Sequence, residues 1–180
     1  MSENKIFDVA VIGGGIVGTG IAYELSKYKL SVALIEKSVQ VTQGSSKGNS
    51  GIIHAGYDDP EDSLRGKLVT KGNKRYDDWA QELGVGLKRP GSMVLAFDED
   101  GLNYLKELKQ KGDNRKVPVE LMDKEAVLAA EPNINPDVIG ALRAPSAGII
   151  CPMRFVNFLF KNSVKNGVTP FMGHEVTGLN

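Results

Sequence analysis

The chain has 180 residues, enough for one domain or for one and part of another, and too many to depend on a disulfide or metal core. Its 22 basic and 22 acidic side chains cancel and 41% of its residues are hydrophobic, which excludes a disordered chain, gives no support to nucleic-acid binding and points to a small-molecule partner. Cys151 is the only cysteine, so neither an internal disulfide nor a clustered cysteine metal site can form, and a reducing, cytoplasmic setting suits it.

The first apolar run, "IFDVAVIG" from Ile6 to Gly13, ends at glycine and reads as a strand buried on both faces. Acidic Glu3 and Asp8 precede the stretch Val9 to Ala22 and no clean small-x-small site follows, so it is not read as a signal peptide. No stretch reaches the ~18 apolar residues of a membrane span, which leaves only peripheral membrane contact open. Ile16, Val17, Ile21, Ala22 and Leu25 recur at helical spacing, and "SVALIEK" from Ser31 to Lys37 reads as a second strand. Strand, tight turn, helix and strand in that order predict a βαβ unit with parallel strands.

Next comes "VTQGSSKGNSGIIHAGYDD", too rich in turn formers for regular structure. Leu64, Leu68, Gly72, Tyr76, Trp79 and Leu83 then share one helix face. From Gly91 the texture changes to strand "SMVLAF", helix Asp100 to Lys111, strand "VPVELM", short helix Asp123 to Ala130 and strand "VIGALRAP". This alternation lacks a phosphate-type glycine turn and reads as a layer inserted into the first domain. Pro152 opens a last helix whose buried stripe is expected to be Phe155, Leu159 and Val164, before the apolar segments "VTPFM" and "EVTGLN".

Gly13, Gly15 and Gly18 form G-x-G-x-x-G where the first strand gives way to the helix. The first glycine permits the tight turn, the second admits a pyrophosphate close to backbone, and the third lets helix and strand pack. The N–H groups at the helix start, beginning at Ile16, carry the positive end of its dipole toward the phosphates. Glu36, followed by Lys37, stands at the end of the second strand about 20 residues on, where a carboxylate accepts hydrogen bonds from ribose hydroxyls. A glutamate there argues against a 2′-phosphate and so against NADP, while FAD and NAD both use this turn.

The following segment separates the two. "GSSKGNSGIIHAGY" resembles the N-S-G-x-x-H-A-G stretch of flavoproteins of the D-amino-acid-oxidase-like superfamily, above all FAD-dependent glycerol-3-phosphate dehydrogenases and L-2-hydroxyglutarate dehydrogenases. The likeness continues through "KLVTKGNKRYDDWAQELGV" and "GIICPMRFVNFL". It implies an α/β fold, a Rossmann-like FAD-binding βαβ domain at 1–90 and 149–180 with part of a mixed-sheet substrate domain at 91–148. It implies FAD as cofactor, with Ser45, Ser46, Asn49 and Ser50 offering donors to phosphate and flavin and Gly51 admitting the ring. It also implies that "HEVTGLN" is a strand reading adenine through backbone near Val176.

For chemistry the resemblance points to His54, either as the base that takes a hydroxyl proton during hydride transfer or as a hydrogen-bonding neighbour of the flavin or backbone. His174 reads as structural and Cys151 as a small buried residue. Arg65, Lys67, Arg89, Arg143 and Arg154 are available to an anionic substrate, although each reads more simply as a surface charge. The family carries a glycine before the second strand where this chain has Lys29, and it continues into more substrate domain and a second flavin segment. The expected function is therefore that of the N-terminal part of a flavin-dependent dehydrogenase or oxidase passing hydride to FAD and then to an unnamed electron acceptor. Glycerol 3-phosphate ranks first as substrate, L-2-hydroxyglutarate second and an amino acid third, with a non-catalytic dinucleotide-binding module as the alternative of another class.

Overall fold

The computed structural model describes residues 5–60 and 62–179. Its elements, in chain order, are β1 (Val9–Ile12), α1 (Ile16–Leu25), β2 (Val32–Glu36), β3 (Ile52–Ile53), α2 (Leu64–Leu83), β4 (Leu87–Lys88) and β5 (Ser92–Ala96). There follow α3 (Glu99–Asn114), β6 (Glu120–Asp123), α4 (Lys124–Ala130), β7 (Gly140–Ala144), β8 (Gly148–Ile150), α5 (Pro152–Lys165) and β9 (Thr169–Met172). Backbone proximity groups the chain into two compact units, one of the residues up to Gly51, Ala80–Gly86 and Cys151 onward, the other of Ile52–Trp79 and Leu87–Ile150. The sequence reading keeps residues 52–79 with the first domain. Packing groups them with the second because Ile52 and Ile53 pair with β8 and the buried Asn73 bonds to that unit's backbone.

The first unit holds a parallel sheet in the order β1-β2-β9, with Val9 opposite Val32 and Ala33 opposite Thr169. The predicted βαβ unit is thus present, but β1, expected to be buried on both faces, leaves Ala10 and Ile12 exposed because it lies at the edge of this sheet. Central β2 buries Val32, Ala33 and Leu34, which accounts for its unbroken apolar run. Pro170 interrupts β9 without harm because an edge strand has one side free of partners for which its missing N–H is not needed.

Helix α1 packs on α5 and buries Gly18, Thr19, Gly20, Ala22 and Tyr23, whereas Val17 and Ile21 are exposed. Spacing alone singles out those larger residues. Close approach of two backbones favours the smaller ones. On α5, Phe155, Val156, Leu159 and Ser163 are buried, so a serine lies one position before the expected Val164, its hydroxyl satisfied by donation to Phe160 O at 2.7 Å. Helix α1 stops without a glycine, at Ser26 in right-handed helical geometry, its N–H still bonded to Ala22 O.

The expected strand "HEVTGLN" is a correction. Gly173, at φ 73°, turns the chain after β9, and His174–Leu179 is irregular, tied back by the His174 N–H on Glu36 O. A strand exists only where a neighbouring strand supplies a ladder, and none of the described residues pairs with this segment. Asn180 lies outside the described residues.

The second unit holds two antiparallel sheets, β3-β8-β4 and β5-β7-β6. The glycine- and serine-rich segment expected to be wholly irregular thus contributes β3. β7 alternates between two cores: Leu142 and Ala144 join Leu105, Leu108 and Val117, while Ala141 joins Val127 and Val138. Asp98 and Asp123 cap α3 and α4 by accepting from the Gly101 and Ala126 N–H groups at 2.7 and 2.9 Å. β6 begins at Glu120, later than "VPVELM" predicts, because Pro118 has no N–H for a ladder and Lys116 sits at φ 56°.

Candidate functional site

The glycine turn is built from its backbone outward. Gly13 continues the sheet by donating its N–H to Ile35 O at 2.8 Å, then turns at φ 107°, in the region open to glycine. A Cβ on Gly18 would lie 1.9 Å from Gly13 O, so no side chain fits there while the turn holds. Gly15, the N-cap of α1, provides no side-chain cap, and the first turn contains no acidic residue. Such a helix start carries partial positive charge that a phosphate can meet. Ser46 reaches it first, its Oγ accepting from the Ile16 N–H at 2.9 Å while the hydroxyl hydrogen remains free to donate. Gly13, Gly15, Ile16, Gly18, Ser45 and Ser46 line a cavity of about 590 Å³.

Glu36 clamps the same turn. Oε2 accepts from the Gly14 N–H at 2.6 Å and Oε1 from the Ser38 N–H at 2.8 Å, and each carboxylate oxygen keeps a lone pair for a further donor. Partial burial works to raise this carboxyl, but the two backbone N–H groups, the Ser38 hydroxyl and the exposed Lys37 charge together hold it below its ordinary range. The stability that ionised Glu36 contributes is therefore complete above pH 4.5 and is lost as pH falls through the lower folded value. Urea titrations should show Glu36→Gln less stable than wild type at pH 7, with the gap narrowing below pH 4.5. A constant gap would mean that the clamp owes nothing to the charge.

The loop after β2 is held by its own residues. Asn49 donates from Nδ2 to Ser45 O and Ser46 O, both at 3.2 Å, and accepts the Gly51 N–H at 2.9 Å, so its amide orders the loop. Gly51 turns at φ 69°. Ser50 is exposed and Val176 half-buried. His174 is occupied by Met172 O, 2.8 Å from Nδ1, in line with its structural reading. Cys151, expected to be buried, is instead exposed, because it is the N-cap residue ahead of Pro152 at the start of α5.

In the second unit His54 follows β3 with its side chain exposed. Its carbonyl accepts from Asn73 Nδ2 at 2.9 Å, and Asn73 donates equally to Ser146 O. Arg89 holds Asn73 in turn, donating to Asn73 O at 2.8 Å and Ser146 O at 2.7 Å while forking onto Asp77 at 3.1 and 2.7 Å. Arg89 is thus a brace, not the surface charge its sequence setting suggests. Neither Asn73 nor Arg115, whose guanidinium donates to Asp59 O and Gly66 O, is picked out by any motif. Asn73→Leu removes the donor from two part-buried backbone carbonyls, at a cost of roughly 2 kcal/mol. Calorimetry should find the transition lowered by about 4–8 °C.

The remaining sequence candidates have mundane partners. Arg65 pairs with buried Asp59 at 2.7 Å and Arg143 with Glu120 at 2.9 Å, Arg154 lies 5.6 Å over the Phe158 ring, and Lys67 is exposed. Among the described residues no three His, Cys, Asp or Glu side chains cluster as for a metal, and no helix is long and apolar enough to cross a membrane.

Comparison with known proteins identifies the family. The chain is 48% identical over 175 residues to glycerol 3-phosphate dehydrogenase of Caloramator mitchellensis, covering 97% of this chain and 36% of that protein. It is 38% identical over 156 residues to the mitochondrial L-2-hydroxyglutarate dehydrogenase of Dictyostelium discoideum, covering 83% of this chain and 34% of the relative. It superposes on the FAD-bound L-alpha-glycerophosphate oxidase of Mycoplasma pneumoniae with a TM-score of 0.91 at 32% identity, over 96% of this chain and 46% of that one. The chain thus spans less than half the length of these relatives. Residues 8–180 match the FAD dependent oxidoreductase family, whose cofactor is FAD, and the chain belongs to that family.

Proposed function

We propose that the chain supplies the nucleotide-binding part, and a portion of the substrate domain, of a flavin-dependent dehydrogenase or oxidase that oxidises a small anionic 2-hydroxy substrate, glycerol 3-phosphate first among them. One arrangement carries the reading, in which a glycine turn that Gly18 cannot leave meets an α1 start without a side-chain cap from its own Gly15 and Glu36 clamped at the end of β2 with acceptor capacity to spare. The 48% identity to a glycerol 3-phosphate dehydrogenase supports that substrate over L-2-hydroxyglutarate and over an amino acid.

In this reading Gly13, Gly15, Ile16 and Gly18 present backbone to the pyrophosphate, Glu36 accepts from the ribose, and Lys37 adds positive charge beside it. Ser45, Ser46 and Ser50 donate hydroxyls, Asn49 keeps their loop in shape, Gly51 leaves room for a planar ring, and Val176 meets the adenine through backbone. FAD bound here supplies the acceptor for a hydride leaving the carbinol carbon. His54 takes the hydroxyl proton as that carbon becomes a carbonyl. By function, residues 1–90 and 149–180 are assigned to the FAD-binding portion and 91–148 to the partial substrate domain, although 52–79 pack with the second unit, and the single thiol supports a cytoplasmic setting.

The test is an absorbance spectrum of the chain and of a protein of the relatives' full length, with the flavin identified after denaturation, then anaerobic addition of glycerol 3-phosphate or L-2-hydroxyglutarate. Bleaching by glycerol 3-phosphate at the lower concentration is expected. Bound FAD bleached by neither substrate would favour the non-catalytic module, and absence of flavin from both proteins would overturn the reading.

A further inference from the structure

The second unit contains a cavity of about 560 Å³ between the middle of α2, the turn after α3 and the turn joining β7 to β8. That volume is in the range of small-molecule sites. Its lining is cationic, with Lys74, Arg89, Arg115 and Lys116 against the single carboxylate of Asp77. Arg89 and Asp77 neutralise each other through their forked contact. Among the described residues Lys74, Arg115 and Lys116 have no carboxylate partner. Arg115 is oriented by two carbonyl oxygens, which take one N–H from each terminal nitrogen without cancelling its charge. The carbonyls at the end of α3 add partial negative charge, but only about half an elementary charge against three unpaired cations.

Two side-chain atoms at this lining are buried without a protein partner: Nε of Arg115, a donor, and Oγ of Ser146, a donor and acceptor. A buried polar atom left unpaired is costly, so each calls for an acceptor. One oxygen-rich anion provides acceptors to an arginine N–H, a serine hydroxyl and lysine ammonium groups approaching from different walls, which a tetrahedral phosphate does more readily than a planar carboxylate. Val117, Pro118 and Pro145 make the remaining wall apolar, suited to a short carbon skeleton. A neighbouring cavity of about 230 Å³ shares Thr70 and Arg115 and adds Lys67.

We propose that this cavity is a binding site for a small phosphate-bearing anion, held by Arg115, Ser146, Lys74 and Lys116. Asn73, which lines it, also holds the His54 carbonyl, so occupancy stiffens the segment that carries His54.

The experiment is a nitrogen-15 NMR titration of the chain with inorganic phosphate and, separately, with ethyl phosphate, at constant ionic strength set by sodium chloride. Saturable shifts are expected at the Arg115 Nε–H and at the amides of Lys116 and Ser146. In a Lys74→Gln/Lys116→Gln double variant, whose exposed side chains leave the fold intact, affinity should fall roughly tenfold or more. Tighter binding of the ester would identify an organic phosphate as the ligand, and equal binding the free ion. Shifts that never saturate, that scatter over the surface, or that are unchanged in the double variant would overturn the proposal.

Discussion

Gly18→Ala should cost the first unit about 3 kcal/mol or more, at the upper end of overpacking effects. The added methyl would sit 1.9 Å from Gly13 O, less than two-thirds of a normal contact distance, and its obstacle is backbone. Relief requires moving either α1, which is packed on α5, or the Gly13 carbonyl, which belongs to a turn already at φ 107°. Thermal unfolding should fall by roughly 6–12 °C. Gly15→Ala is the informative companion, since its Cβ would meet only Ser46 Oγ, at 3.2 Å, and its φ of −80° suits any residue. Its unfolding should stay close to wild type while, under the proposed assignment, FAD affinity falls because a methyl stands where the pyrophosphate approaches. Equal loss of stability in both variants would mean that both glycines serve packing alone.

His54→Ala is expected to have the largest effect on turnover. Loss of a general base costs typically about 10²–10⁴-fold in rate. The side chain is exposed, and the segment is held through the His54 carbonyl, which the substitution leaves in place on Asn73. Folding should change by less than about 0.5 kcal/mol. In a protein of the relatives' full length, kcat with glycerol 3-phosphate should collapse while flavin content stays constant. Undiminished turnover with flavin bound would remove His54 from the chemistry and leave it a neighbour of the ring or backbone.

The two residues differ in how far local sequence speaks for them. Gly18 is legible because its reason is local: the clash is with a residue five positions earlier, and the strand and helix that force it are announced by their own periodicities. The position of Glu36 is legible for a similar reason, since spacing can count to the end of a parallel strand, but its bonds to the Gly14 and Ser38 N–H groups are not. Asn73 and Arg89 are not legible. Their partners, His54 and Ser146, are brought to them by the pairing of β3 with β8, and no pattern in the chain specifies that pairing. Val17 and Ile21 mislead for a related reason, because an apolar side chain on a helix says nothing of which face the neighbouring helix takes.

The sequence by itself determined the βαβ unit, the glycine turn and the family resemblance. Each rests on steric rules that act within one or two neighbouring elements. Only the tertiary structure decided that α1 buries Thr19 and Ala22 rather than Val17 and Ile21, that the segment around Val176 is not a strand, that Asn49 orders its own loop, and that Arg115 and Ser146 come together at one cavity. These depend on which distant groups arrive to complete a ladder, satisfy a carbonyl or leave a donor unpaired, and the free energy of such meetings belongs to the assembled unit.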